Sequence, residues 1–188
     1  HLPLAAERMP IQDMRGRERE FSLDRQGFAV VDWPTEVQDF HDPGEVERVY
    51  VPEVDALLRS VTGCARTMVS SPGLVRVSRR AAERPERAAP TGNFAHADYS
   101  KRSGELWLRR VLPPEEAEAR LKKRYSIFNV WRTFSPPPQD VPLALCDVRA
   151  VEPSDIQNCM ITLGRLGDEV TWENTTYRHN RNHRWFYC

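Results

Sequence analysis

Apolar positions recur at two different periods along this chain, a helical one early and an alternating one later. Between residues 45 and 58, Val46, Val49, Val54, Leu57 and Leu58 recur at intervals of up to five, as one face of a helix requires. Pro52 is expected to break that helix into two pieces, because it lacks an amide N–H. Pro113-Pro114-Glu115-Glu116 opens a second helix reaching to about residue 124, with proline and acids where a first turn favours them. Short runs rich in β-branched and aromatic residues predict strands at 28–31, 64–69, 74–77, 93–100 and 126–132. Further strands are expected at 143–147, extending through 148–151, and at 160–163, 170–172 and 175–187. Residues 70–73 form a turn between two of the early strands, and residues 180–182 carry turn chemistry inside the last. Residues 1–20 are polar and rich in Arg and Glu, which suits an extended arm or a short helix. Residues 78–92 and 100–113 read as loops, the first either a solvated, mobile segment or a lid.

Helices set mostly before a strand-rich half indicate an all-β or α+β barrel or sandwich. The 188 residues suit one domain, with residues 1–20 as its N-terminal arm and the barrel strands in 93–188.

Charge narrows the function. Lys plus Arg and Asp plus Glu number 27 each, for a formal net charge of zero. A dedicated nucleic-acid or anionic-membrane binder needs a basic surplus to meet phosphates, so neither is expected. No apolar run approaches the roughly 20 residues of a membrane-spanning helix. The four cysteines, Cys64, Cys146, Cys159 and Cys188, show no C-x-x-C spacing. With no basic-then-apolar leader visible, they read as reduced thiols of a cytoplasmic protein. Neither G-x-G-x-x-G nor a P-loop occurs, which sets aside the common nucleotide sites. The chain does not begin with Met and stops at Trp185-Phe186-Tyr187-Cys188, inside an expected buried strand. The sequence is therefore expected to continue past Cys188.

The chemistry concentrates at His96-Ala97-Asp98. Positions i and i+2 of a strand share a face, so an imidazole and a carboxylate are brought to one point. That pair is two-thirds of the two-histidine, one-carboxylate triad that holds Fe(II) and leaves other positions open. The alternative is a strand histidine hydrogen-bonded to a neighbouring acid. Arg132 can grip a carboxylate bidentately, or serve as a structural partner for Asp147. Tyr99 and Ser100 are placed to line the site as hydrogen-bond donors, while Asn129 alternates away from Arg132. Trp107, Trp131, Trp172 and Trp185 are expected in the core.

Four ordered blocks carry a resemblance. They are Phe94-Ala95-His96-Ala97-Asp98-Tyr99-Ser100, Ile127-Phe128-Asn129-Val130-Trp131-Arg132, Pro142-Leu143-Ala144-Leu145-Cys146-Asp147 and His183-Arg184-Trp185-Phe186-Tyr187, preceded by Arg15-Gly16-Arg17-Glu18. Together they resemble the gibberellin-desaturase-like, aspergillic-acid-hydroxylase-like family of iron and 2-oxoglutarate dependent oxygenases. The resemblance implies a double-stranded β-helix, or jelly-roll barrel. It also implies Fe(II), 2-oxoglutarate as co-substrate, and hydroxylation or desaturation of a small molecule of secondary metabolism. His96 and Asp98 are the implied metal ligands, and Arg132 and Tyr99 are expected to contact the co-substrate or substrate.

Two departures matter. Thr133 follows Arg132 where the family has Pro. The family's distal metal histidine and its 2-oxoglutarate arginine lie downstream of the H-R-W-Y-Y block. Within this chain His183 is the expected third ligand, with His179 as alternative; His183 otherwise packs beside Trp185. Two competing functions stand beside this one. One is a degenerate barrel without catalysis that binds a small molecule or a protein partner. The other is a zinc site on the same residues.

Overall fold

The computed structural model describes residues 4–71, 73–78, 89–92, 94–134, 139–163 and 170–188. In chain order run β1 (Ile11–Asp13), α1 (Leu23–Gln26), α2 (Pro43–Glu45), α3 (Val51–Thr62), β2 (Arg76–Val77), β3 (Ala89–Pro90), β4 (His96–Ala97), α4 (Lys101–Val111), α5 (Pro114–Leu121), β5 (Ala144–Cys146), β6 (Ile156–Leu163), β7 (Val170–Tyr177) and β8 (Trp185–Tyr187). They divide between two compact units. One comprises His1–Val30, Asn93–Asn129 and Pro142–Cys188, and the other Val31–Gly92 and Val130–Val141.

The first unit holds two three-stranded sheets, ordered β1-β8-β5 and β4-β7-β6. In the first sheet β8 is central, parallel to β1 and antiparallel to β5, with Phe186 opposite both Gln12 and Leu145. Side chains alternate across a strand, so one face of β8 sends Phe186 into a core of Met14, Phe21 and Phe28. The Phe21 ring stacks on Phe28 at 5.2 Å and meets Phe186 edge-on at 4.9 Å. Such offset and T-shaped pairs add to the gain from burying the rings. The expected N-terminal arm thus contributes a strand and part of the core. In the second sheet β7 is central and antiparallel to both neighbours, with β6 paired from Ile156↔Tyr177 to Leu163↔Val170.

The second unit is built on one helical run. α2, a π-helical stretch at Val46–Tyr50 and α3 follow without interruption. Pro52 does not break this helix. It sits in the first turn of α3, where a missing N–H costs least. Just before it, the Val51 amide reaches back five residues to the Val46 carbonyl, widening the turn as a π-bulge does. Gly63, at φ 67°, ends α3 and returns its amide to the Arg59 carbonyl, a left-handed closure that suits glycine.

Several expected elements differ. Residues 28–31, 64–69 and 126–132 are irregular rather than strands, and residues 148–150 form a 3-10 turn instead of extending β5. Residues 101–111, expected as loop, form α4. Its signal is the reciprocal pair at its start: Ser100 Oγ accepts from the Ser103 amide at 3.1 Å, and Ser103 Oγ accepts from the Ser100 amide at 2.9 Å. The last expected strand divides, residues 175–177 ending β7 and residues 185–187 forming β8 with a turn at 181–182 between, and β6 and β7 run longer than expected. Of the 78–92 loop, residues 79–88 lie outside the described residues. Among the expected core tryptophans, Trp131 is exposed, and the other three are partly buried.

Candidate metal centre

β4 is only two residues long, so the backbone around it is fixed largely by β7. Thr176 Oγ1 donates to the Ala95 carbonyl at 3.0 Å, and Trp172 Nε1 donates to the Asp98 carbonyl at 3.0 Å. His96 stands opposite Thr176 in the ladder. With the chain pinned on both sides, the two-residue period takes effect: His96 Nε2 and Asp98 Oδ1 face each other at 3.2 Å. Their side chains are 29% and 44% exposed, so a solute can reach them.

The hydrogen bonds around the pair determine its chemistry. His96 Nδ1 lies 3.0 Å from the Phe94 carbonyl oxygen. A carbonyl only accepts, so Nδ1 carries a proton, and Nε2 is the ring nitrogen that faces Asp98. Asp98 Oδ2 accepts from Asn129 Nδ2 at 2.6 Å, which turns Oδ1 toward the imidazole. A proton or a cation between the two atoms makes this separation favourable. Two donors each about 2.1 Å from one divalent ion, at right angles, stand about 3.0 Å apart; the pair matches that spacing. Each donor is also held from behind, by a backbone carbonyl and by a side-chain amide, as metal-ligating histidines and carboxylates commonly are. The residues present fit a divalent metal. Sequence reasoning missed Asn129 as part of this arrangement, although it heads the Asn129-Val130-Trp131-Arg132 block.

The structure does not bring every expected residue to the pair. The Tyr99 ring packs with Trp172 at 5.5 Å and Trp107 at 6.2 Å. Burial, with Asp98 nearby, raises its phenol above the ordinary tyrosine value. Ser100 caps α4 instead of lining the site. Arg132 belongs to the second unit, where it donates to the Trp33 carbonyl and lies 5.7 Å over the Tyr50 ring. Its Nε is buried with no acceptor among the described residues. Asp147 takes its charge partners elsewhere, from Arg149 at 2.8 Å and Arg184 at 2.9 Å.

His183 is 6% exposed and donates from Nε2 to Asp155 Oδ2 at 3.0 Å. Its ring meets Trp185 edge-on at 6.4 Å. Asn180 also donates to Asp155, while His179 lies exposed. Among the described residues, no group of three or more His, Cys, Asp and Glu side chains gathers to hold a metal. His96 and Asp98 are brought together, and neither His183 nor His179 joins them.

A histidine–carboxylate pair on an antiparallel sheet, within a mixed helix-and-sheet chain, is the class of site and fold seen here. A family model described as "Oxidoreductase/YMDC permease-like domain" matches residues 2–188, and the chain belongs to that family. No helix among the described residues is long and apolar enough to cross a membrane. The chain is similar to "Hydroxylase/desaturase CTB9" of Cercospora beticola, 31% identical over 94% of this chain and 59% of that protein. It is similar to "Hydroxylase/desaturase efuI" of Hormonema carpetanum, 29% identical over 95% of this chain and 65% of that one. A third relative is the "Fe(II)/2-oxoglutarate-dependent dioxygenase nvfI" of Aspergillus novofumigatus, 28% identical over 77% and 52%. Among solved structures, the iron and alpha-ketoglutarate-dependent endoperoxidase NvfI superposes with a TM-score of 0.79 at 23% identity. That likeness in fold covers 94% of this chain and 65% of that one. The chain thus spans about six tenths of the length of the first two relatives.

Proposed function

We propose that the protein is a non-haem iron oxygenase that uses O2 and 2-oxoglutarate to hydroxylate or desaturate a small molecule of secondary metabolism. The observation that carries this reading is the His96–Asp98 pair, with Nε2 and Oδ1 3.2 Å apart and Nδ1 turned to the Phe94 carbonyl. His96 and Asp98 would hold Fe(II), with the remaining protein ligand supplied by His183 after rearrangement or from outside the described residues. Bound iron with 2-oxoglutarate supplies the oxidising power to remove hydrogen from an unactivated C–H bond. The protein's own part is more limited. The Phe94 carbonyl and Asn129 hold the imidazole and carboxylate in place, and the Tyr99–Trp107–Trp172 group shields the sheet behind Asp98. Arg132, whose buried Nε finds no acceptor among the described residues, is proposed to receive a carboxylate within the second unit.

The finer architecture belongs to the same proposal: a single jelly-roll domain over residues 1–188, with its barrel strands in 93–188. The two three-stranded sheets and the likeness to NvfI support it. The four free thiols support a reducing, cytoplasmic setting.

Anaerobic titration tests the reading. Fe(II) should bind in about one-to-one ratio, and 2-oxoglutarate should then bring up a weak visible charge-transfer band. His96→Ala should abolish both. A second reading, a barrel that binds a small molecule or partner without catalysis, is favoured by the missing third ligand among the described residues. Absence of iron binding in the unsubstituted protein would select it.

A further inference from the structure

A cavity in the first unit takes none of its lining residues from β4. It measures about 390 Å³ and is lined by Phe21 and Phe186 of the aromatic core and by Arg17, Arg25, Arg149 and Arg184. Two carboxylates, Glu20 and Asp147, share that lining. Four guanidinium groups against two carboxylates leave an excess of two positive charges facing one cavity.

The local bonding holds these cations in place. Asp147 is 1% exposed and acts as an anchor. Its Oδ1 accepts from the amide and Nε of Arg149, each at 3.0 Å, and its Oδ2 accepts from Arg149 Nη2 at 2.8 Å and Arg184 Nη2 at 2.9 Å. One buried carboxylate therefore orients two guanidiniums whose side chains stay 40% and 50% exposed. Arg17 is fixed by Glu20 through two bonds of 3.0 and 2.7 Å. Arg25 forms no ion pair among the described residues. Guanidinium forks fixed in this way match the oxygens of phosphates and carboxylates with little ordering left to complete.

We infer that this cavity binds a small molecule bearing a doubly charged oxyanion, a phosphate monoester or a dicarboxylate. The volume falls in the range of small-ligand sites and exceeds what a bare ion fills. The Phe21 and Phe186 rings in the lining suit the carbon portion of such a ligand. No residue of the His96–Asp98 pair takes part, so this site and the iron site are testable independently.

Calorimetric titration of the full chain with inorganic phosphate, and separately with succinate, tests the inference at ionic strength fixed with sodium chloride. Saturable one-to-one binding of either probe is expected. Arg25→Gln should weaken it by roughly tenfold or more, as loss of one charge-assisted bond does. Arg17→Gln should weaken it as well, whereas Arg102→Gln on α4 and His96→Ala should leave it unchanged. Binding of phosphate but not succinate would assign a phosphoryl ligand, and the reverse a dicarboxylate. No saturable heat with either probe, or equal affinity in Arg25→Gln and Arg17→Gln, would overturn the inference.

Discussion

Asn129 donates its side-chain amide to Asp98 Oδ2 at 2.6 Å, across 31 residues of chain. This bond decides which carboxylate oxygen faces His96. Without it Asp98, on a bend just past the end of β4, loses the donor that orients its Oδ2. Asn129→Ala is therefore expected to weaken Fe(II) binding by roughly 10–100-fold, the usual effect of removing a partner behind a metal ligand. Asn129 is exposed, so the change in folding stability should stay within about 0.5 kcal/mol. Anaerobic iron titration beside urea denaturation separates the two effects. Unchanged iron affinity would remove Asn129 from the site.

The start of α4 sets the position of the segment that follows Asp98. Ser100 and Ser103 are both buried, and Ser103 Oγ also donates to the Glu173 carbonyl at 2.6 Å. Ser100→Ala removes the cap and leaves the Ser103 amide buried without its acceptor. A loss of about 1–2 kcal/mol is expected, read as a lower urea midpoint with unchanged slope. Ser100→Thr, which keeps the hydroxyl, should recover most of it.

Whatever depended on adjacent residues was legible in the sequence. His96 and Asp98 face each other because two-residue alternation is a property of the local backbone, and α5 follows from Pro114, Glu115 and Glu116 in one turn. Pairing was harder to read. Residues 126–132 hold Ile127, Phe128, Val130 and Trp131, the composition of a strand, yet no strand among the described residues pairs with them; a strand exists only through its partner. The helix over 101–111 was concealed because Gly104 and five charged residues dilute its apolar face. Its cap, a Ser100–Ser103 pair in place of the common acidic partner, gave a weak signal. His183 shows the same difficulty at the level of a site. Its distance from Asp98 along the chain allowed a ligand role, but its surroundings, Asp155 and Asn180, are set by how β6 and β7 return.

Asp147 joins two of the blocks that carried the family resemblance. Its carboxylate holds Arg184, and its amide donates to the Arg184 carbonyl at 2.9 Å, tying the end of β5 to the start of β8. Removing a buried carboxylate from its cations costs about 3–5 kcal/mol when those cations are buried too. Arg149 and Arg184 stay half exposed, so Asp147→Ala is expected near or below the lower end, about 3 kcal/mol. Chemical denaturation checks this. A loss under about 0.5 kcal/mol would show that water replaces the carboxylate at no cost.

Acid sensitivity should come in part from Asp155. The Glu152 amide, donating to Oδ2 at 3.0 Å, is the main cause that holds this carboxyl below the ordinary aspartate value of 3.8, with His183 and Asn180 adding to it. A carboxyl lowered in the folded state binds its proton more readily when unfolded, so folding is favoured while the group is ionised. That contribution is complete above the ordinary value and is lost as pH falls through the lowered one. Between pH 6 and pH 5 the urea midpoint should change little on account of Asp155, and below about pH 4 it should fall. Asp155→Asn removes the titrating group, so its midpoint should start lower near pH 6 and decline less steeply below pH 4. Parallel curves for the two proteins would show that Asp155 does not couple protonation to folding.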